Sequence, residues 1–253
     1  MRILYLGDIV GEKTLEVLKN NLEQIKKENN INLVFVNAEN VSGGKGLIEK
    51  HYQELMKMGV AGISMGNHTF SKSEITNYIN DAKIVRPANL PCNIGKDVLY
   101  INYNGQMIAL VNMLGRVYTN TPLDDPFKTM DELLKNIKAD YIIVDFHGDA
   151  TSEKKAFFYD FSGKVDAIVG SHTHTQTADE QIYNNTMFIS DMGMCGAFES
   201  ILGDDKDMVI ARFRSGMFEP LKCASTNTFM LNGVVIDLGP KREIIRINKK
   251  YNL

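Results

Sequence analysis

The chain has 253 residues, 44% hydrophobic and 23% charged, with a formal net charge of -3. This ordinary globular usage excludes a disordered or coiled-coil chain, and the slight acidity argues against tight nucleic-acid binding through a broad basic face. Cys92, Cys195 and Cys223 form no CxxC pair and offer no disulfide framework, which suits a reducing compartment.

The opening MRILYLGD has one basic residue and an apolar stretch too short for a signal h-region. No run approaches the ~20 apolar residues of a membrane span. The expectation is a cytoplasmic protein with no membrane partner, organised as one domain over residues 1–253. Short β-rich runs at 3–6, 33–36, 61–65, 141–144 and 167–169 alternate with amphipathic segments. Between the first two, Leu15, Leu18, Leu22 and Ile25 recur at helical spacing and predict a helix over Lys13–Glu28. Segments 48–58 and 73–79 also read as helices, so the pattern is βαβ with a mostly parallel, buried sheet. The middle differs. Strand-like 98–103 and 106–112 flank Asn104-Gly105, the pair a tight type I′ hairpin turn favours. Runs 229–238 and 243–247 around Gly239-Pro240 predict antiparallel strands, and 42–46 and 191–196 read as Gly-rich loops.

The chemistry gathers behind the strands. Of five histidines, His68, His147, His172 and His174 each follow a predicted strand, and His51 does not. Asp8 follows ILYLG, Glu39 and Asn40 follow LVFVNA, and Asn67 precedes His68. In open α/β sheets the C-terminal strand edge is where sites form. Taken singly, each has a plain structural reading. Asp8 could cap the next helix, Asn67-His68 could be a turn, and His147 could bond backbone. His172 and His174, two apart in an extended segment, point to one side and make the most specific local signal. Oxygen and nitrogen donors without a thiolate disfavour structural zinc and suit manganese or iron, while zinc also accepts them. The set exceeds one tetrahedral ion, whereas two ions sharing a carboxylate, ~3.5–4 Å apart, would use it all and clamp a phosphoryl oxygen.

The blocks GDIVG, NAEN, GNHTF, DFHGDATSEK and VGSHTHTQTAD resemble those of the calcineurin-like metallophosphoesterases, and within them the YmdB-like 2′,3′-cyclic-nucleotide phosphodiesterases. The resemblance runs nearly the whole chain. It implies an α/β fold: a four-layer α-β-β-α sandwich of two mixed sheets flanked by helices, with the metals at the sheets' common edge. It implies Asp8, Asn40 and His174 on one transition-metal ion, Asn67, His147 and His172 on the other, Glu39 bridging, and His68 as general acid. It also implies a dimer or tetramer, for which the 98–112 hairpin could offer an edge. Two departures from the wider superfamily match the subgroup: Val10 stands where a ligand His is usual, and Glu39 where the bridge is usually Asp. Phe70-Ser71 and Gly148-Asp149 replace the Trp-Asp and Ala-Glu frequent in the subgroup, which bears on substrate contacts.

The implied activity is hydrolysis of small phosphodiesters, 2′,3′-cyclic nucleotides foremost, with no extended nucleic-acid interface. A phosphomonoesterase or 5′-nucleotidase, or a nucleotide-binding regulator with slow turnover, remain as alternatives. A serine hydrolase is set aside, since GISMG around Ser64 is not GxSxG. Lys45, in a Gly-rich loop that is not a P-loop, and Arg116 are candidate phosphate contacts with equally plain surface readings. Met192, Met194 and Cys195 read as packing residues in a loop.

Overall fold

The computed structural model describes residues 1–253. In the first sheet, β1 (Arg2–Leu6), β3 (Leu33–Asn37), β4 (Gly62–Ser64) and β5 (Ile84–Val85) pair in parallel, and β2 (Asp8–Ile9) follows β1 after one residue. A C-terminal hairpin, β13 (Thr228–Asp237) with β14 (Glu243–Asn252), completes this sheet. The long β13 pairs with β1 along one half and with β12 (Met194–Ala197) along the other. The second sheet has the order β10 (Gln181–Tyr183), β11 (Thr186–Ile189), β9 (Ala167–Ser171), β8 (Tyr141–His147), β7 (Gln106–Leu114), β6 (Val98–Tyr103). Its four middle strands are parallel and its two edge strands antiparallel.

The sheets face each other through Ile3, Tyr5 and Phe35 on one side and Leu110, Ile143 and Val169 on the other. Fully burying such a side chain contributes about 1.5–3 kcal/mol. Helix α1 (Lys13–Glu28) covers the first sheet's outer face with the expected Leu15, Leu18, Leu22 and Ile25, beside α2 (Glu49–Lys57). Helices α3 (Pro126–Asn136) and α4 (Thr151–Phe161) cover the second through Met130, Phe157, Phe158 and Phe161. Asp125 caps α3 by accepting from the Phe127 and Lys128 amides, and Pro126 needs no amide partner at the first position. The α-β-β-α layering is the expected one.

The Asn104-Gly105 turn has positive φ at both residues, 51° and 83°, as type I′ requires. Two expectations are corrected. The helix expected over 73–79 is only a short 3₁₀ segment, Ser73–Asn77, with one buried side chain, Ile75. Residues 194–196, read as loop, lie in β12, because β13 and β2 supply pairing on both sides of so short a strand. No helix is long and apolar enough to cross a membrane.

Candidate metal centre

Each candidate side chain is delivered by the end of a strand. After β1 the chain crosses Gly193 so closely that a side chain at Gly7 would lie 1.9 Å from its carbonyl oxygen. The Asp8 amide then donates to that carbonyl. Beyond β3, the Glu39 amide donates to Asn37 Oδ1, and Asn40 forms a bridge pair with Val10. The β4 end leads through Gly66 to Asn67 and His68, His147 closes β8, and His172-Thr173-His174 follows β9. His172 and His174 both have positive φ, 100° and 63°. Side chains rarely adopt that backbone, so surrounding bonds must hold it.

Those bonds come from Asp191 and Lys154. Asp191 Oδ2 accepts from both the amide (3.0 Å) and the hydroxyl (2.8 Å) of Thr173, the residue between the two histidines. Lys154 of α4 donates to Asp191 Oδ2 at 2.9 Å and to the Ser171 carbonyl at 2.8 Å. The pair is buried, with side-chain exposures of 2% and 1%.

The donor atoms converge. Nε2 of His147 lies 2.9 Å from Asn67 Oδ1, 2.9 Å from Glu39 Oε1 and 3.0 Å from Nδ1 of His172. Asn40 Nδ2 lies 3.2 Å from His174 Nε2, and Asp8 Oδ1 is 3.9 Å from that nitrogen. Asp8 Oδ2 accepts from the His172 amide. The structure therefore brings the side chains of Asp8, Glu39, Asn40, Asn67, His147, His172 and His174 to one place. The tighter group is Glu39, His147 and His172. Val10 takes no part, since it packs against Gly203.

Behind the ligands lies Asp145, which sequence reasoning missed. It is fully buried and accepts from Ser64 Oγ at 2.5 Å, Ser171 Oγ at 2.6 Å and Asn37 Nδ2 at 3.1 Å. Ser171 Oγ also meets His147 Nδ1 at 2.9 Å, so the chain Asp145–Ser171–His147 fixes the imidazole with Nε2 facing the other donors. Asp145 ties both sheets together here, because Ser64 and Asn37 belong to the first sheet and Ser171 to the second. Burial pushes its pKa up to about 6. Its only sequence signal was an acid inside an otherwise apolar strand.

His68 stands beside the cluster. Its amide donates to Glu39 Oε2 at 2.7 Å, and its Nδ1 lies 3.2 Å from Ser71 Oγ. Burial lowers its pKa; Glu39 opposes this, while Lys45, His147 and His172 add to it. Arg116 forms an ion pair with Asp125 at 3.0 Å. Exposed Asp149 lines a cavity of about 250 Å³ over Asn67, His147 and His172. His51 is buried at 2.8 Å from Ser42 Oγ, away from the site.

Two observations fit these residues to bound cations. One ring nitrogen carries at most one proton, yet His147 Nε2 lies within 3.0 Å of two oxygens, Asn67 Oδ1 and Glu39 Oε1, and of His172 Nδ1. Asp8 Oδ1 is buried with no hydrogen-bond partner. Burial raises the pKa of both Asp8 and Glu39, and the carboxylates repel each other. A cation between them reverses that balance.

Two stacked mixed sheets with this donor set at their common edge define a calcineurin-like metallophosphoesterase. The fold alone is shared with the Haemophilus influenzae NAD nucleotidase, at a TM-score of 0.58 and 14% identity over 100% of this chain and 56% of that one. The family model described as YmdB-like protein matches residues 4–249, and the chain belongs to that family. A Bacillus subtilis (strain 168) relative named 2′,3′-cyclic-nucleotide 2′-phosphodiesterase is 42% identical over 243 residues, 94% of this chain and 91% of its own length. A crystal structure of a hypothetical protein from Thermus thermophilus superposes with a TM-score of 0.91 at 32% identity, covering 100% of this chain and 99% of that one. That of a novel phosphatase from Mycoplasma pneumoniae gives 0.90 at 39%, covering 98% and 93%.

Proposed function

We propose that the chain is a dinuclear-metal phosphodiesterase hydrolysing small phosphodiesters, 2′,3′-cyclic nucleotides foremost. The observation that carries this is the convergence of Asn67, Glu39 and His172 on one nitrogen of His147. The B. subtilis relative's named activity supports the substrate class. Asn67, His147 and His172 would hold one ion, Asp8, Asn40 and His174 the other, and Glu39 both. Ions held there would supply charge neutralisation for the phosphate and a water of lowered pKa. The mixed oxygen and nitrogen set suits iron or manganese.

The chain's own groups set the geometry. Ser171 and Asp145 hold the His147 ring so that Nε2, not Nδ1, faces the site. The Glu39 carboxylate spans from His147 through Oε1 to the His68 amide through Oε2, which fixes both of its oxygens. Ser71 occupies His68 Nδ1 and leaves Nε2 to carry the proton for the departing ribose oxygen. Burial lowers the pKa of His68 while the Glu39 carboxylate opposes this, and an anionic phosphodiester beside it would likewise favour the charged form.

Protein purified without chelator should contain about two transition-metal ions per chain and hydrolyse 2′,3′-cyclic AMP in preference to 5′-AMP. Preference for 5′-AMP would make it a phosphomonoesterase. Tight binding of the cyclic nucleotide by metal-replete protein without turnover would make it a regulator. Absence of bound metal would remove the centre itself.

A further inference from the structure

One wall of the cavity above the ligands is the segment 115–121, which follows β7. Tyr118 projects from it with 84% of its surface exposed and a backbone φ of 63°. A bulky side chain in the left-handed region costs energy, and an aromatic ring held in water gains nothing by burial. The segment is pinned from beneath. Glu153 of α4 accepts from the Arg116 amide at 2.9 Å and the Val117 amide at 3.1 Å, and Arg116 pairs with Asp125. A side chain at Gly115 would lie 2.7 Å from Glu153 Oε2, so this attachment depends on glycine. The ring is thus presented at the rim by a braced turn.

The chemistry of the lining narrows what the rim meets. None of the residues lining this cavity is a lysine or arginine, and Arg116, in the same segment but outside the lining, is paired with Asp125. The wall offers the Tyr118 ring, Thr119 and Thr121 hydroxyls, the Asn120 amide and the Asp149 carboxylate. A second phosphate would find no unpaired cation in that lining and would be repelled by Asp149. A neutral planar group with polar edges finds a stacking face and both donors and acceptors.

We infer that the 118–121 rim is a nucleobase subsite, with Tyr118 as its stacking platform, which selects nucleoside 2′,3′-cyclic monophosphates over base-free phosphodiesters and over substrates carrying a second phosphate. This rests on the phosphodiesterase reading and gives it a source of selectivity separate from the metal ligands. Tyr118 binds the part of the substrate that does not react, so its contribution falls on KM and leaves kcat in place.

The test compares metal-loaded wild type, Tyr118→Ala and Tyr118→Phe on 2′,3′-cyclic AMP and on methyl riboside 2′,3′-cyclic phosphate, which lacks the base. Loss of one base stack should lower kcat/KM of Tyr118→Ala on cyclic AMP about 5- to 140-fold, through KM. On the base-free substrate that variant should match wild type, which also shows that it is folded and metal-loaded. Tyr118→Phe should keep wild-type values on both. Equal losses on the two substrates, or no loss on cyclic AMP, would overturn the subsite while leaving the phosphodiesterase reading intact. If wild type hydrolyses neither cyclic phosphate, that reading itself fails and the subsite falls with it.

Discussion

Replacing Lys154 with methionine keeps the apolar stem and removes the ammonium that reaches Asp191 and the Ser171 carbonyl at 2.9 and 2.8 Å. Asp191 is left charged at 1% exposure, still accepting from Thr173 and Gly193. Breaking a buried pair costs about 3–5 kcal/mol, and the retained bonds put the cost near the lower end, about 3 kcal/mol. For a chain of this size that lowers the melting temperature by about 6–12 °C. Burial alone would raise the Asp191 pKa, but Lys154 and the Gly193 and Thr173 amides outweigh it and hold it below 3.8. The folded state therefore gains from the ionised carboxylate above pH 3.8 and loses that gain as pH falls through the depressed pKa. Without Lys154 the largest influence opposing burial is gone and the Asp191 carboxylate ionises less readily in the fold, so the gap between the two proteins should narrow as the pH falls toward and below that value. Urea denaturation of wild type, Lys154→Met, Asp191→Asn and the double variant provides the cycle. The double variant should be less destabilised than the sum of the singles by about 1–3 kcal/mol. Exact additivity, or a Lys154→Met cost under about 1 kcal/mol, would refute a buried, coupled pair. Because Asp191 grips Thr173, chelator competition should also show metal held about 10- to 100-fold more weakly.

Three further outcomes test the centre directly. His68→Ala should lower turnover of 2′,3′-cyclic AMP about 10²- to 10⁴-fold with bound metal retained. Much of that loss should vanish on a nitrophenyl phosphodiester, whose leaving group needs little protonation; wild-type turnover of the nucleotide would reject the acid role. Gly66→Ala would set a methyl 2.5 Å from His147 Nε2 and 2.6 Å from Glu39 Oε2, so elemental analysis should find metal lost, and an unchanged metal content would show that the ligands lie elsewhere. Glu39→Gln removes a shared charge and should deplete metal as well, whereas full occupancy with normal turnover would exclude a bridging role.

Much of the centre was legible because its signals are local. A buried strand reads as four or five apolar residues, and the polar residues within a few positions of its C-terminal end lie at the sheet edge wherever the strand sits in the fold. Asp8, Glu39, Asn67, His147 and His172 could all be singled out in this way. Helix α1 and the Asn104-Gly105 hairpin were equally local, one set by spacing and the other by backbone freedom.

What the sequence determined by itself, then, was the succession of elements and the residue types waiting at their ends. Only the tertiary structure decided which polar groups are buried together. Lys154 on a helix reads as a solvated surface lysine until Asp191, 37 positions on, closes over it. Asp145 reads as an interruption in a strand until Ser64, 81 positions earlier, reaches it from the opposite sheet. β12 is too short to announce itself and exists because β13 and β2 flank it. The free energy of a buried charge or a four-residue strand belongs to its partners, and a one-dimensional pattern does not contain the distances to them.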